Sequence, residues 1–327
     1  MYACTLPAIL FSLSGNREFQ MLLHDLLVDR FAPQRDLSDR TLQMYESTLA
    51  RLRDFLGREP TVDDLEDLTI AKFLRWRRVT QHSKWKLIGP ASLAKDSAHI
   101  RTLWNWLAKK RWKRSDGELI EFPDYTRPKV PKPVPRAFKA EELAKLVETA
   151  RHRKGQIAGK PAAWYWTTKL LAMFQTGARI GEVLEICWSE VDFERHSLTF
   201  LAATRKGQRE TITRPITPEL ARMLALHRGA PAERVWPWRE GREALSVYPS
   251  LRVLCRCAGV EYKPFHSIRK STASYLKRAG ISAKGQLGHS SEDMAERHYY
   301  DPEIVGREDN LGHLPDIGRR QPPSSEG

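Results

Sequence analysis

Cysteine is scarce in this chain: four residues in 327, at positions 4, 187, 255 and 257. Four are too few for a disulfide framework, which fits a reducing compartment. Cys255-Arg-Cys257 has one residue between its thiols instead of the two of a zinc knuckle, and no second Cys/His pair stands nearby. No metal site is therefore expected. Long apolar runs are also missing, and nothing approaches the ~20 residues a membrane-spanning helix requires. The opening Leu6-Pro-Ala-Ile-Leu-Phe-Ser-Leu13 is short, has no basic residue before it and shows no clear cleavage site, which argues against a signal peptide. The expected location is the cytoplasm. Acidic residues are the minority, 40 Asp+Glu against 54 Lys+Arg, for a net charge of +14. That excess points to an acidic partner, nucleic acid before an anionic membrane, although a solubilising surface would produce the same total.

A hydrophobic fraction of 41% and ten tryptophans mark a folded protein, and 327 residues suggest about two domains. Residues 1–16 read as an N-terminal extension. From there to about 122 the pattern is helical. Leu42, Tyr45, Leu49, Leu52 and Leu56 recur at three- and four-residue spacing and end at Gly57, so a helix is expected over 40–56. Thr61-Val-Asp-Asp64 reads as the cap of a second helix reaching Trp76, and Ser92 to Lys110 as a third. Together they make a compact all-α domain over 17–122.

The third helix ends in a basic cluster. Arg101, Lys109, Lys110, Arg111, Lys113 and Arg114 fall within fourteen residues that contain no acid, interleaved with Trp104, Trp106 and Trp112. Basic side chains at that density suit a phosphate backbone, although cations also suit any helix C-terminus. Pro123, Pro128, Pro131, Pro133 and Pro135 then punctuate a basic stretch, read as a linker over 123–136. Such a linker could lie along a backbone and let two domains close on one duplex.

A second domain is expected over 137–316. Helices are read over 139–150, from about 163 to a break at Gly177, and from Arg179 to Trp188. A hairpin of strands 197–203 and 210–216 follows, with Lys206 at or near its tip. Further helices are expected over 218–226, 247–257 and 267–278. Residues 317–327 read as a disordered tail. The fold class is mainly α with a small antiparallel sheet, α+β. No internal repeat is visible.

Certain residues recur in this domain in a telling order. Arg179 stands in Thr176-Gly-Ala-Arg-Ile-Gly-Glu182, Lys206 on the hairpin, and His266 and Arg269 in His-Ser-Ile-Arg. His289 follows Leu-Gly, and Tyr299 and Tyr300 come ten and eleven residues later. In this order and spacing the chain resembles the tyrosine recombinases, the phage-integrase family of site-specific DNA recombinases. The resemblance covers nearly its whole length: 17–122 is similar to the family's core-binding domain and 137–316 to its catalytic domain.

The resemblance implies a site-specific recombinase or integrase that cleaves and rejoins DNA through a 3′-phosphotyrosyl link, with no cofactor, metal or ATP. Arg179 and Arg269 would clamp the scissile phosphate, since guanidinium forks match its oxygens and stay charged. Lys206 would protonate the leaving 5′ oxygen, His266 would assist proton transfer, and His289 would support the phosphate or nucleophile. Glu182 would hold neighbouring backbone or basic groups. Tyr299 fits the nucleophile's spacing, with Tyr300 as the alternative, expected about 100° further around a helix. Arg205 adjoins Lys206, so a slip of one residue would put a poor proton donor at the hairpin tip. Lys270 stands where many members carry histidine. Implied partners are double-stranded DNA and, on synapsed sites, three further copies in a homotetramer, the free protein being a monomer or weak oligomer. An accessory DNA-bending protein is compatible with this, and no membrane is implied. Residues 301–316 are expected to contribute to assembly. Two other readings share the motifs: a nicking-closing topoisomerase with the same chemistry, and a catalytically inactive DNA-binding relative.

Overall fold

The computed structural model describes residues 21–83, 86–131, 134–205, 210–238, 247–283, 287, 296 and 298–306. The chain divides into two compact units, Met1–Lys132 and Pro133–Gly327. Lys206 and His289 lie outside the described residues, as do the N-terminal extension and the stretch from 307 onward that holds most of the expected assembly segment and the tail.

In the first unit, α1 (Leu23–Leu26) runs through a π-helical turn, Leu27–Phe31, into α2 (Ala32–Gln34). Helix α3 (Asp39–Leu56) starts where the Ser38 hydroxyl accepts the Thr41 N–H, and it stops at Gly57, whose φ of 70° suits a residue without Cβ. Tyr45, Thr48, Leu49 and Leu52 form its buried stripe. The expected second helix begins later than its apparent cap. The Asp64 carboxylate instead accepts the Thr61 N–H and closes a 3₁₀ turn, Val62–Asp64; Glu66 is then extended, and α4 spans Asp67–Val79. A short antiparallel pair follows, β1 (Gln81–Ser83) and β2 (Lys86–Leu87). Helix α5 (Pro90–Lys109) opens with proline in its first turn, where the missing N–H costs nothing.

One buried carboxylate pins these three long helices. Asp96 of α5 accepts from Arg77 Nε of α4 at 3.1 Å, and from Arg51 Nη1 and Thr48 Oγ1 of α3 at 3.0 and 3.2 Å. With these partners its burial is compensated. The start of the proline-bearing stretch packs on the same helices. Trp104 Nε1 donates to the Glu121 carbonyl at 2.7 Å, the N–H groups of Asp124 and Tyr125 donate to Asp67 Oδ1, and Tyr125 is buried against Trp104.

The second unit is built on α7 (Ala162–Thr176), which packs against α6 (Ala140–Arg151), α9 (Pro218–Ala225) and α11 (His266–Arg278). Buried positions surround α7 almost completely, as in a central helix. The hairpin β3 (Gln156–Ile157)–β4 (Lys160–Pro161) leads into it. Gly177, at φ 62°, ends it, and α8 (Ile180–Glu185) begins at once. This helix stops short of the expected Trp188. Glu190 takes the Cys187 N–H at 2.5 Å, and the buried Trp188 opens a 3₁₀ turn of its own. The expected hairpin is present but shorter: β6 (Ser197–Phe200) pairs antiparallel with β7 (Ile212–Pro215), because Ala202–Thr204 turns into a 3₁₀ segment. β5 (Val191–Asp192) adds a third strand, in the order β5-β6-β7. Helix α10 (Val247–Cys257) and the one-turn α12 (Pro302–Val305) complete the described elements. The α11 hydroxyls knit the unit together: Ser271 bonds both the N–H and the carbonyl of Phe138, and Thr272 donates to the Phe174 carbonyl.

Candidate active site

Arg179 occupies the N-cap of α8 in an extended conformation, which turns its side chain out of the helix. Its N–H donates to Glu182 Oε2 at 2.8 Å and its Nη1 to Oε1 at 2.9 Å. Glu182 is itself buried, and two further arginines face it: Arg205 Nε at 3.6 Å and Arg214 Nη1 at 4.0 Å. Burial opposes ionisation of Glu182. The Arg179 N–H and the charges of Arg179, Arg214 and Arg269 outweigh that and hold its pKa below the ordinary value.

Arg269, fully buried in the first turn of α11, reaches back across the unit. Nη1 donates to the Gly177 carbonyl at 2.7 Å and Nη2 to the Leu287 carbonyl at 2.8 Å. The same guanidinium lies 5.3 Å from the centroid of the Tyr299 ring. His266, one turn earlier, meets that ring edge-on at 5.1 Å between centroids. Crowding by surrounding atoms, then the charges of Arg269, Lys270 and Arg179, push the His266 pKa down to about 4, although the residue keeps exposed surface. Its imidazole is thus neutral at pH 7, while the same shift makes it a weaker base. Lys270 is also held below its usual value, by desolvation.

The two tyrosines do not share a helix. Tyr299 lies in a turn and Tyr300 in irregular chain, so the expected 100° offset does not apply. The rings part nonetheless: Tyr299 faces His266 and Arg269, whereas Tyr300 lies under Lys277 Nζ at 5.4 Å.

The structure thus gathers Arg179, Glu182, His266, Arg269 and Tyr299 around the junction of α7, α8 and α11. Lys206 and His289 lie outside the described residues, but Arg205 is assigned a place: it is buried, facing Glu182 and donating Nη1 to the Glu210 carbonyl. The six basic residues of the first unit divide. Lys109, Lys110, Arg111 and Lys113 are exposed. Arg101 instead donates to the carbonyls of Pro123 and Tyr125, and Arg114 to Leu65 and Glu66, so both serve packing within their own unit.

Sequence reasoning missed Arg214 and Asp301. Alternation along β7 could have revealed the first, since Ile212, Arg214 and Ile216 share one side of the strand. The second stands in the Asp-Pro that opens α12. No group of three or more His, Cys, Asp or Glu able to hold a metal occurs among the described residues. Nor, among them, is any helix long and apolar enough to cross a membrane.

Two arginines, a neutral histidine and a tyrosine turned toward them form a set suited to phosphoryl transfer with a tyrosine nucleophile. The phage integrase family model matches residues 136–304, more than half of the chain. The chain belongs to this family, and it is a tyrosine recombinase, a DNA breaking-and-rejoining enzyme. Tyrosine recombinase XerC of Xanthomonas campestris pv. campestris (strain B100) is 23% identical over 280 residues, covering 82% of this chain and 80% of the relative. Tyrosine recombinase XerA of Pyrococcus furiosus is 28% identical over 193 residues, 56% of this chain and 64% of that protein. Among solved structures, a lambda integrase(75–356) dimer bound to a COC′ core site matches with a TM-score of 0.63. Its identity is 19%, over 88% of this chain and 98% of that one, a likeness of fold.

Proposed function

We propose that this enzyme is a site-specific recombinase in which Tyr299 attacks a DNA phosphodiester held by Arg179 and Arg269. The observation that carries this reading is the position of the Tyr299 ring, 5.1 Å from His266 and 5.3 Å from the Arg269 guanidinium. A phenol titrates near ~10, so it needs a proton acceptor and nearby positive charge to react at neutral pH. Neutral His266 offers the first and Arg269 the second.

In the step itself, Tyr299 Oη bonds to phosphorus as the bond from phosphorus to O5′ breaks. The phenolic proton passes to a base, with His266 as the candidate, and the O5′ electron pair takes a proton, with Lys206 as the candidate donor. The products are a 3′-phosphotyrosyl link and a free 5′-hydroxyl. The link keeps the ester, so a second 5′-hydroxyl reverses the step without ATP. His289 is the candidate support for the phosphate. Two duplexes exchanging all their strands need four nucleophiles, which motivates a homotetramer on synapsed sites. The exposed Lys109, Lys110, Arg111 and Lys113 are candidates for backbone contact by the helical unit. A cytoplasmic, nucleoid-associated location accords with that substrate.

The test is covalent capture, in EDTA, on nicked suicide duplexes cut from the DNA that flanks the gene. Capture at defined phosphates is expected. Relaxation of plasmids with no preferred site, and no site-specific capture, would contradict the reading.

A further inference from the structure

Arg214 is an unusual charge among the described residues of the second unit. On β7 it stands between Ile212 and Ile216, a place an aliphatic residue would fill at less cost. Its side chain is 1% exposed, and Nε, Nη1 and Nη2 all lack a hydrogen-bond partner among the described residues. Its Cζ lies 5.1 Å from the Phe200 ring centroid, and among the described residues its one nearby anion is Glu182, 4.0 Å from Nη1 to Oε2. A buried cation so poorly partnered opposes folding, so its presence calls for some other return.

The return is visible in what Glu182 does. That carboxylate orients Arg179 by accepting both its N–H and its Nη1. An isolated carboxylate at 2.9 Å would also cancel much of the charge that Arg179 presents to a phosphate. Arg214 and Arg205 face the same two oxygens. We propose that Arg214 is a positioning residue for strand cleavage: from the buried side it offsets the charge of Glu182, so that Arg179 is oriented by this carboxylate without being neutralised by it. The inference rests on the reading of Arg179 as a phosphate ligand. It adds a residue that touches no DNA and works through Glu182. Desolvation, opposed by Glu182 and reinforced by Arg269, Arg205 and Arg179, pushes the Arg214 pKa down to about 10, which leaves it charged at neutral pH.

The experiment compares full-length wild type, Arg214→Met, Arg214→Lys, Glu182→Gln and the Glu182→Gln/Arg214→Met double variant. The probe is a nicked suicide duplex captured by wild type but not by Tyr299→Phe. For Arg214→Met, single-turnover cleavage should fall by about tenfold or more. DNA affinity should stay within about threefold and Tm should hold or rise, because an apolar side chain replaces a poorly partnered charge. Arg214→Lys should recover part of the rate. In the Glu182→Gln background, removing Arg214 should cost less than about threefold, since no carboxylate charge remains to offset. Equal losses in both backgrounds overturn the proposal. So does wild-type cleavage by Arg214→Met, or a loss that only tracks a lowered Tm. Should Arg214→Met not fold, Arg214→Lys carries the test, and an equal loss in the wild-type and Glu182→Gln backgrounds overturns the proposal. If wild type captures no duplex, or Tyr299→Phe captures as well, it is the reading of the site that fails, a result distinct from an unchanged Arg214→Met.

Discussion

Asp301, two residues beyond Tyr299, accepts the backbone N–H of Ala137 at 2.6 Å. The tyrosine-bearing segment is thereby tied to the chain entering the second unit. Its other oxygen caps α12 through the Glu303 N–H, and its own N–H donates to Ser274 Oγ of α11, which also bonds the Tyr299 carbonyl. Tyr299 is thus held at its carbonyl and through the residues just beyond it. Asp301→Ala leaves the Ala137 N–H buried without its acceptor and should cost about 1–3 kcal/mol in urea denaturation. Cleavage should fall more than DNA affinity, because positioning is lost while no cation is removed. Equal falls would mean that Asp301 serves folding alone.

Gly177 carries two constraints at once. At φ 62°, a Cβ there would stand 2.4 Å from Leu287 Cδ2, and its carbonyl accepts from Arg269 Nη1. Gly177→Ala should therefore destabilise the protein by about 1–3 kcal/mol and lower the cleavage rate as Arg269 loses its anchor. A variant that melts and cleaves like wild type would show the close approach to be dispensable.

The helices and the arginine-histidine-tyrosine set were largely legible because both leave local signals. Leu42, Tyr45, Leu49 and Leu52 repeat at helical spacing, and Arg179, His266 and Arg269 stand in short motifs. What was not legible lies in short local turns and strands or depends on partners distant in sequence. Thr61 looked like the cap of a long helix, but Asp64 closes a turn instead. Arg101 reads as a phosphate ligand in a basic run, and nothing in that run signals that its fork bonds the carbonyls of Pro123 and Tyr125. β5 has two residues and no alternation to read. Arg214 sat on a strand whose inward side alone marked it as buried, and the anion it faces lies on another element.

Lys169 gives a prediction in pH. Its amine is buried in α7 among aromatic rings, 3.9 Å from the Trp166 centroid and 4.2 Å from that of Tyr165, with no hydrogen-bond partner among the described residues. Desolvation drives its pKa well below the ordinary 10.5. Between the lowered value and 10.5 the unfolded chain holds the proton that the folded chain has shed, so this lysine's contribution to stability rises with pH across that window. Lys169→Met should raise Tm at pH 7, and the gain should shrink as pH approaches 10. A lower Tm at pH 7, or a gain independent of pH, would contradict this.

In the helical unit, replacing Lys109, Lys110, Arg111 and Lys113 by alanine should weaken DNA binding. The slope of log K against log salt should flatten by up to about 0.9 for each phosphate no longer neutralised. Arg101→Ala should leave that slope unchanged and lower Tm, since its guanidinium holds residues 123–125. The reverse pattern in salt titrations and melting curves would assign the DNA backbone to Arg101.

The most direct measurement is mass spectrometry of the peptide that carries DNA after covalent capture and digestion. The nucleotide mass should sit on Tyr299, through its 3′ phosphate, and Tyr299→Phe should give no adduct while Tyr300→Phe still does. An adduct on Tyr300, or one that survives Tyr299→Phe, would contradict the account.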